Sequence, residues 1–354
     1  MNISKKSIVI QYPTSKQKIA VENNFDNLES SFNWSNYSKK ILIADPVALK
    51  NCDFDFTAIV DEIILLDAGE KSKSLETAQK LVEILASKKI SRSGVLVGLG
   101  GGVIGDLVGF VASIYMRGID YVFLPSTLMS QTDTTIQKVG ISIGNLKNIC
   151  GSFYSPKLTY INTDLLKSLP NYLIKEGLVE SIKHSFLDDL DHVRLLESSF
   201  ELSNFEDWNW SEIIYRSLKI KANYIEKDLQ DTLGFHKSVS WGHTFANAFE
   251  GMLEVSHGRA VLTGMHLSNY ISNKRGLLSD ELFARITNLL NKINLEVVKI
   301  DNPERVIEFL RKDKLSSKGE INIVILEDIG KFSILRDLLP EDILEAIKYL
   351  KTLK

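Results

Sequence analysis

The stretch that decides the fold runs from Val95 to Asp133 and reads VLVGLGGGVIGDLVGFVASIYMRGIDYVFLPSTLMSQTD. A short apolar run at 95–99 predicts a buried strand, an apolar helical stretch extends to Met116, and a second strand is predicted at 121–124. Between the first strand and the helix lies a glycine cluster, which comprises Gly98, Gly100, Gly101, Gly102 and Gly105. Glycines let backbone N–H groups approach an anion closely, and a helix N-terminus adds positive potential. The stretch therefore predicts a phosphate cradle.

The glycine spacing matches a dinucleotide fingerprint, although ordinary tight turns show the same spacing. The pattern G-x-G-x-x-G is satisfied by Gly100, Gly102 and Gly105. The usual fingerprint places an acidic residue about 20 positions further on, at a strand end. Asp120 has that spacing but begins its strand, whereas Asp45 and Glu70 follow the ends of earlier strands and are better partners for a ribose. Compared with the usual dinucleotide-binding domain, either the strand order is rearranged or the cofactor binds in a different position.

The elements around this stretch predict a parallel α/β sheet in the first half of the chain. Segments 7–12 and 18–21 are predicted to pair as antiparallel strands, and strands are predicted at 40–44 and 62–66. A helix is predicted at 75–88 from its apolar spacing. Strands that alternate with helices to about residue 165 are typical of a parallel sheet.

The second half of the chain is predicted to be mainly helical. Helices are predicted at 174–187, 210–229, 243–253, 261–274, 280–292, 304–312 and 340–350, and a strand at 320–326. The change of character after Pro170 predicts two domains, an α/β nucleotide-binding domain at 1–168 and a helical domain at 169–354. A chain of 354 residues is long enough for both.

Composition argues against nucleic acid or a membrane surface as the main partner and against secretion. The net charge of −3 argues against nucleic acid or a membrane surface as the main target. Only two cysteines, Cys52 and Cys150, indicate a reducing compartment. No signal peptide and no apolar run of about 18 residues is present, so we expect a cytoplasmic protein.

Three residues of the helical half form a candidate metal site: Glu180, His243 and His257. One carboxylate and two imidazoles with an open fourth position are typical of catalytic zinc. The spacings between them are long, and histidines are more often packed or on the surface. That ordinary interpretation is kept for three others, His184, His192 and His266.

Lysines are frequent in the same part of the sequence, and most lysines are simply solvated. The candidates are Lys138, Lys147, Lys183, Lys221 and Lys314. Lys183 and Lys221 lie on predicted helices with apolar faces, and Lys183 follows Glu180 by three residues on one helix face. A cationic cluster there would suit a phosphorylated substrate.

A set of motifs in fixed order resembles the 3-dehydroquinate synthase family of sugar phosphate cyclases. The motifs are GGGVIGDLVGFVASIYMRG, LPSTLMSQTD, KNICGSFYSPK, TDLLKSLP, EGLVESIKH and WGHTFANAFE followed by HGRAV. The resemblance extends from about residue 45 to 330. An ordered set of this length is far more specific than any one motif.

The resemblance implies a Rossmann-like NAD-binding domain, a helical metal-binding domain, bound zinc or cobalt, and a homodimer. It also implies the reaction, in which NAD transiently oxidises a ring hydroxyl of a sugar phosphate. Phosphate then leaves by β-elimination, the hydride returns, and the opened ring closes as a carbocycle. The enzyme is then a carbon–oxygen lyase, and the pathway is the shikimate route to aromatic amino acids.

The resemblance also assigns roles to residues of this chain. The implied NAD contacts are Asp45, Glu70, Lys73, Gly101, Gly102, Asp106, Ser126, Thr127, Lys147 and Ser168. The implied metal ligands are Glu180, His243 and His257. The implied substrate and proton-transfer residues are Asp133, Lys138, Asn148, Lys183, Lys221 and Lys314, and Arg117 is expected to reach a neighbouring subunit's site.

The chain departs from the family pattern mainly at positions expected to contact the substrate anion. The 133–148 loop is one residue shorter than usual and lacks a glycine pair. His236 replaces an arginine that holds the substrate carboxylate, and Ser240, Asn247 and Arg259 replace asparagine, histidine and glutamate. A histidine lacks the bidentate fork of arginine, and it is often uncharged at neutral pH.

These departures leave four hypotheses. The first is a divergent 3-dehydroquinate synthase. The second is a cyclase for a substrate without the carboxylate, like 2-epi-5-epi-valiolone or 2-deoxy-scyllo-inosose synthase. The third is a metal-dependent alcohol dehydrogenase of the glycerol dehydrogenase type, and the fourth is a binding protein without catalysis.

Overall fold

The computed structural model describes residues 6–12, 16–67, 69–133, 136, 138–144, 146–227, 239–311 and 320–353. The strands are β1 Lys6–Gln11, β2 Lys16–Glu22, β3 Lys40–Ala44, β4 Glu62–Leu65, β5 Val95–Gly100, β6 Asp120–Pro125, β7 Lys138–Ile143, β8 Leu146–Phe153, β9 Leu158–Asn162, β10 Ile323–Asp328 and β11 Lys331–Leu335. The first helices are α1 Leu28–Ser31, α2 Pro46–Lys50, α3 Leu75–Ser87, α4 Gly102–Ile114, α5 Leu128–Thr132 and α6 Asn171–Asp188.

The remaining α-helices are α7 Leu190–Ser199, α8 Trp210–Lys227, α9 His243–Met252, α10 His257–Lys274, α11 Asp280–Lys292, α12 Pro303–Leu310 and α13 Pro340–Leu350. Short 3-10 helices occur at Trp34–Asn36, Phe56–Ala58, Glu70–Ser72, Tyr115–Arg117, Thr163–Ser168 and Phe205–Asp207. Across the described ranges, no helix is both long enough and apolar enough to cross a membrane.

The described chain divides into two compact units. The first contains Met1–Ile174 and Asn209–Ala222, and the second contains Lys175–Trp208 and Asn223–Lys354. Residues 209–222 group with the first unit, although they belong to the second predicted domain, 169–354. The domain boundary near residue 168 stays a prediction.

A mainly parallel sheet forms the framework of the first unit. Its strand order is β1-β2-β9-β6-β5-β3-β4, with β1 antiparallel to β2 and the other pairs parallel. Counted from β3 onward, the strands follow the order 2-1-3-4-5, in which the direction of chain progression reverses between β3 and β5. The rearranged strand order was one of the two alternatives left open by the glycine spacing.

Burial on both faces explains why β5 reads as an uninterrupted apolar run. All six of its residues are buried. Leu96 belongs to the core that contains Val108 of α4, while Val95, Val97 and Leu99 belong to the core on the other side of the sheet. Successive strand residues point to opposite faces, so a strand covered on both sides has no polar positions.

The segment predicted as a shortened loop at 133–148 includes part of an antiparallel hairpin. β7 pairs with β8 from Lys138 opposite Phe153 to Ile143 opposite Leu146. Most of β8 is exposed, with only alternate residues of its second half partly buried. The hairpin was missed because an exposed strand carries little hydrophobic pattern.

In the second unit, α10 is the central helix. Its buried residues continue from Gly258 to Ser272, and it packs against α9, α11, α13 and β10. The helices predicted at 280–292 and 340–350 have those bounds in the structure. The predicted α/β plus helical fold class is confirmed. The α-helices and strands that were not predicted are α1, α2, α5, α7, β7, β8, β9 and β11.

Candidate active site

The carboxyl edge of the sheet brings the predicted cofactor residues together at the point where the strand order reverses. The Asp45 N–H donates to the Leu99 carbonyl over 2.9 Å, and the Ser126 N–H donates to the Gly100 carbonyl over 2.8 Å. The residues that follow β3, β5 and β6 are therefore tied side by side. Ligands of open α/β sheets bind at this kind of position.

The glycines of the cluster have different roles. A Cβ at Gly100 would lie 2.5 Å from Ile104, and a Cβ at Gly105 would lie 2.5 Å from the Phe123 ring, so both are required by packing. Gly101 is the N-cap of α4, where no side chain caps the helix, and a Cβ there would lie 3.2 Å from Thr127. The part of the cluster suited to an anion is therefore the start of α4, where the first N–H groups of the helix have no side-chain cap and Gly101 adds no side chain of its own.

The two acidic ribose candidates have different surroundings. Asp45 caps α2, and its Oδ1 accepts from the Val47 N–H at 2.6 Å and the Ala48 N–H at 3.1 Å. Those bonds fix the direction of the carboxylate at the sheet edge. Glu70 is exposed in the 3-10 helix at 70–72.

Lys73 and Asp106 form a buried ion pair beside the cradle. The Lys73 Nζ lies 2.5 Å from Asp106 Oδ2, and the two side chains are 7% and 16% exposed. Burial raises the pKa of Asp106, an effect that Lys73 opposes by stabilising the carboxylate. The Lys73 carbonyl accepts from the Ser142 N–H at 2.9 Å, so the pair also joins α4 to the β7–β8 hairpin.

The other predicted NAD contacts are placed by local hydrogen bonds or by the hairpin. Thr127 and Ser130 form a capping box at the start of α5. The Ser168 hydroxyl donates to the Leu165 carbonyl at 2.9 Å. Lys147 lies exposed on β8.

The three predicted metal ligands converge in the second unit. The Nε2 atoms of His243 and His257 lie 3.6 and 3.5 Å from the same oxygen of Glu180, Oε1. One potential ligand atom from each residue lies within 4.8 Å of the others. Glu180 is fully buried, and its other oxygen contacts the ammonium of Lys183, which is 1% exposed. The sequence spacing did not establish this convergence.

Each histidine ring is oriented through its other nitrogen. The Nδ1 of His243 lies 3.3 Å from the Trp241 carbonyl, and the Nδ1 of His257 lies 3.4 Å from Glu250 Oε2. Burial by itself lowers the pKa of His257, but the carboxylates of Glu180 and Glu250 outweigh it and raise that pKa to about 10.

The donor set fits a divalent cation. A carboxylate and two imidazoles with converging Nε2 atoms are ligands that zinc and cobalt accept, and three protein ligands leave a position for substrate. The two carboxylates beside His257 favour positive charge at this point, which a proton or a metal ion can supply.

A close approach of two backbones brings the histidines together. Gly242, with φ +81°, precedes His243, and a Cβ on Gly264 of α10 would lie 2.0 Å from the Gly242 carbonyl oxygen. At the start of α10, a Cβ on Gly258 would lie 2.7 Å from the Cα of Glu176. Glycine at these positions allows α6, α9 and α10 to meet closely enough for their side chains to converge.

The three other histidines that the structure describes are buried in the second unit. His192 Nε2 lies 3.3 Å from the Ser181 hydroxyl. His266 is 2% exposed, and burial lowers its pKa to about 4. His184 is fully buried.

Of the predicted substrate residues in the first unit, two are paired. The Lys221 Nζ lies 2.6 Å from Asp133 Oδ1 and also contacts the Asp133 carbonyl. Lys138 lies on β7 with its Nζ 5.8 Å from the centre of the Phe153 ring. Asn148 on β8 has φ +53°.

Arg117 lies in a strained turn. Met116, Arg117 and Gly118 all have positive φ, at 53°, 65° and 112°. Two successive non-glycine residues in this region are uncommon and are held there by the surrounding structure. The Arg117 side chain is exposed.

Two residues that entered the sequence argument, Lys314 and His236, lie outside the described residues. A third, Arg259, is engaged elsewhere: its Nε donates to the Glu296 carbonyl at 3.0 Å, and its Nη2 lies 3.6 Å from the Glu296 carboxylate. The substitution in HGRAV thus anchors the segment that follows α11.

Sequence reasoning missed Glu250 and the Gly242–Gly264 contact. Glu250 follows His243 by seven residues, which is two helical turns, and this spacing is a signal that was available. The glycine contact has no comparable signal, because nothing in the periodicity of either helix indicates which backbones meet.

Comparison with known proteins identifies the class. The family model for the 3-dehydroquinate synthase N-terminal region matches residues 63–176, and the model for the C-terminal region matches residues 177–316. The 3-dehydroquinate synthase of Dictyoglomus turgidum is 33% identical over 320 residues, covering 89% of this chain and 90% of that protein. The enzyme of the same name from Nitratiruptor sp. is 37% identical over 291 residues, covering 81% and 82%.

Solved structures show the same fold. A 2-epi-5-epi-valiolone synthase from Streptomyces hygroscopicus subsp. jinggangensis 5008, with NAD+ and Zn2+ bound, has TM-score 0.84 at 22% identity, covering 98% of this chain and 99% of that one. A 2-deoxy-scyllo-inosose synthase, complexed with carbaglucose-6-phosphate, NAD+ and Co2+, has TM-score 0.81 at 22% identity, covering 96% and 99%. A glycerol dehydrogenase from Schizosaccharomyces pombe is more distant, with TM-score 0.61 at 15% identity, covering 99% and 92%.

The family-model matches and the convergent donor set indicate an enzyme with an α/β unit and a mainly helical unit. Within that class, the chain belongs to the 3-dehydroquinate synthase family. The family predicted from the ordered motifs is confirmed.

Proposed function

We propose that this protein is an NAD- and divalent-metal-dependent sugar phosphate cyclase that converts 3-deoxy-D-arabino-heptulosonate 7-phosphate to 3-dehydroquinate with loss of phosphate. The observation that carries the proposal is the convergence of Glu180, His243 and His257 around one point, next to the buried ammonium of Lys183. It occurs in a chain whose two halves match both 3-dehydroquinate synthase regions.

The nucleotide-binding part of the proposal rests on the carboxyl edge of the first unit. NAD bound here would supply a hydride acceptor and donor. Gly101 and Gly102 at the start of α4 bind the pyrophosphate through backbone N–H groups, and the oriented Asp45 carboxylate accepts from a ribose hydroxyl. Glu70, Lys73, Asp106, Ser126, Thr127, Lys147 and Ser168 complete the proposed contacts.

The metal-binding part rests on the second unit. A divalent cation held by Glu180, His243 and His257 supplies Lewis acidity toward a substrate hydroxyl or carbonyl oxygen. Lys183 adds a fixed positive charge that is almost inaccessible to water. An ammonium in such surroundings attracts phosphate and oxyanion groups more strongly than a solvated lysine does.

The other substrate residues are proposed to bind and position the sugar phosphate. Lys221 is held by Asp133, so its ammonium is oriented before substrate arrives. Lys138, Asn148 and Lys314 are proposed to complete the anion contacts. The homodimer, with the exposed and strained Arg117 reaching a neighbouring site, and the cytoplasmic location belong to the same proposal.

A cyclase for a phosphorylated sugar without the carboxylate is the second candidate. It is favoured by Ser240 and Asn247, and by His236 where family members have arginine. Asn247 lies exposed on α9, one turn after His243. We expect the triple variant H236R/S240N/N247H to increase the preference for the heptulosonate phosphate if these positions select the substrate. An unchanged preference would show that they do not.

The deciding experiment is product identification. The protein is incubated with NAD and Zn2+ or Co2+, and in turn with 3-deoxy-D-arabino-heptulosonate 7-phosphate, sedoheptulose 7-phosphate and glucose 6-phosphate. Phosphate release and the NMR spectrum of the ring product are measured. We expect phosphate and 3-dehydroquinate from the first substrate, with no net NADH.

Each alternative has its own outcome in that experiment. Phosphate and a carbocycle from either other sugar would establish the second candidate. Accumulation of NADH with an alcohol, without phosphate release, would instead establish a dehydrogenase. A protein that binds neither metal nor NAD and releases no phosphate would overturn catalysis altogether.

A further inference from the structure

Glu250 lies on the same helix as one candidate ligand but contacts the other. It follows His243 by two turns of α9, and its Oε2 lies 3.4 Å from Nδ1 of His257 at the start of α10. We propose that Glu250 is a positioning residue that holds the His257 ring with Nε2 directed at the metal. The proposal rests on the proposed function only for the presence of a metal at this site.

The geometry assigns opposite roles to the two nitrogens of His257. Nε2 lies 3.5 Å from Glu180 Oε1, on the side where the potential ligand atoms converge. Nδ1 lies on the Glu250 side. A carboxylate accepts but does not donate, so Glu250 keeps a proton on Nδ1, and a cation that replaces the proton on Nε2 would take up the lone pair of that nitrogen.

The two candidate histidine ligands are held by acceptors of different strength. His243 has the uncharged Trp241 carbonyl 3.3 Å from its Nδ1, whereas His257 has a carboxylate. A charged acceptor forms the stronger hydrogen bond and makes the opposite nitrogen more basic. Glu250 should therefore make His257 a stronger imidazole donor than it would be without the carboxylate.

The carboxylate side of this contact is largely buried. The Glu250 side chain is 12% exposed, so water screens its charge only weakly. Because Glu250 and His243 lie on one helix, a shift of α9 would move a ligand and the support of the second ligand together. The orientation of both histidine rings therefore depends on the position of α9.

The test measures metal affinity and not only turnover. Glu250→Gln and Glu250→Ala are compared with the wild type and with Glu254→Gln, a change at an exposed acidic residue shortly after α9. Dissociation constants for Zn2+ and Co2+ are measured by competition with a chelator at fixed pH, and the visible spectrum of the Co2+ protein reports the ligand field. Thermal unfolding of the metal-depleted proteins reports folding.

We expect Glu250→Gln to weaken metal binding about tenfold, because the amide carbonyl can still accept from Nδ1. Glu250→Ala removes the acceptor and should weaken binding by more, up to about a hundredfold. Both should shift the Co2+ spectrum, and Glu254→Gln should change neither. Wild-type affinity and an unchanged spectrum in both Glu250 variants would overturn the positioning role while leaving the metal site intact. If Glu250→Ala fails to fold, the Gln variant decides. Failure of the wild type to bind either ion would overturn the metal site, and the positioning role with it.

Discussion

Replacing Gly264 with alanine tests whether a backbone contact sets the metal site. The new Cβ would lie 2.0 Å from the Gly242 carbonyl oxygen and 2.9 Å from its carbonyl carbon. Ordinary van der Waals contact begins at 3.4 Å, so the backbones must separate by about 1.4 Å along that line. His243 follows Gly242 directly, so the first turn of α9 moves with it.

We expect a loss of metal affinity that is at least comparable with the loss of folding stability. Overpacking costs about 1–3 kcal/mol, and the better helix propensity of alanine offsets up to about 1 kcal/mol of that. Metal sites, however, require ligand distances within about 0.2 Å of their ideal values. A displacement several times larger should weaken Zn2+ binding at least tenfold, which is about 1.4 kcal/mol.

The assay compares Gly264→Ala with Gly251→Ala. Gly251 lies on α9, and a Cβ there would meet only the ring of Phe309, at 3.0 Å, which is a side chain that can move aside. Chelator competition gives the Zn2+ affinity, and thermal unfolding of the metal-depleted proteins gives the stability. Normal Zn2+ affinity in a folded Gly264→Ala protein would refute the argument that this contact sets the histidine positions.

Three further predictions follow from single side chains. Glu180→Ala should abolish both bound metal and phosphate release, and a metal-replete active variant would contradict its assignment as a ligand. Asp106→Asn should lower the free energy of unfolding in urea by about 3 kcal/mol because it leaves the Lys73 ammonium buried without its carboxylate; an unchanged midpoint would refute that. Burial lowers the pKa of His266 to about 4 in the folded protein, against 6.5 in the unfolded chain. Between about pH 6.5 and pH 4 the unfolded chain therefore binds a proton that the folded protein does not, so the free energy of unfolding falls as the pH drops through this range. His266→Gln should remove up to about 3 kcal/mol of that loss, measured against the same variant at pH 8, and an equal loss in both proteins would exclude His266 as a cause.

The fold was predictable where one element satisfies several local rules at once. β5 is an apolar run that leads directly into glycines, and the start of α4 follows from that junction. The helix at 280–292 begins after Ser279, whose hydroxyl accepts from the Leu282 N–H, and keeps strict apolar spacing. Periodicity and capping agree at such sites, so even the bounds are predictable.

The elements that were missed lack this agreement. β9 has five residues, all buried, and is too short for periodicity to distinguish it from a helical fragment. β8 is mostly exposed and is held by its pairing with β7, which no local pattern reveals. The candidate ligands were predicted from their residue types and the resemblance, whereas the close contact between Gly242 and Gly264, beside His243, has no sequence signal.

The residues that depart from the family pattern can be compared with the groups that orient the candidate ligands. Arg259 lies two residues after His257, yet its guanidinium is bound to the segment at Glu296 and not to the candidate ligands. Asn247 is exposed on α9 between His243 and Glu250, both of which keep their contacts. The substitutions at Asn247 and Arg259 therefore leave the groups that orient the ligands in place. A buried Glu180–Lys183 pair is costly to desolvate, so its presence beside the candidate ligands favours a protein that still carries out the reaction over a binding protein without catalysis.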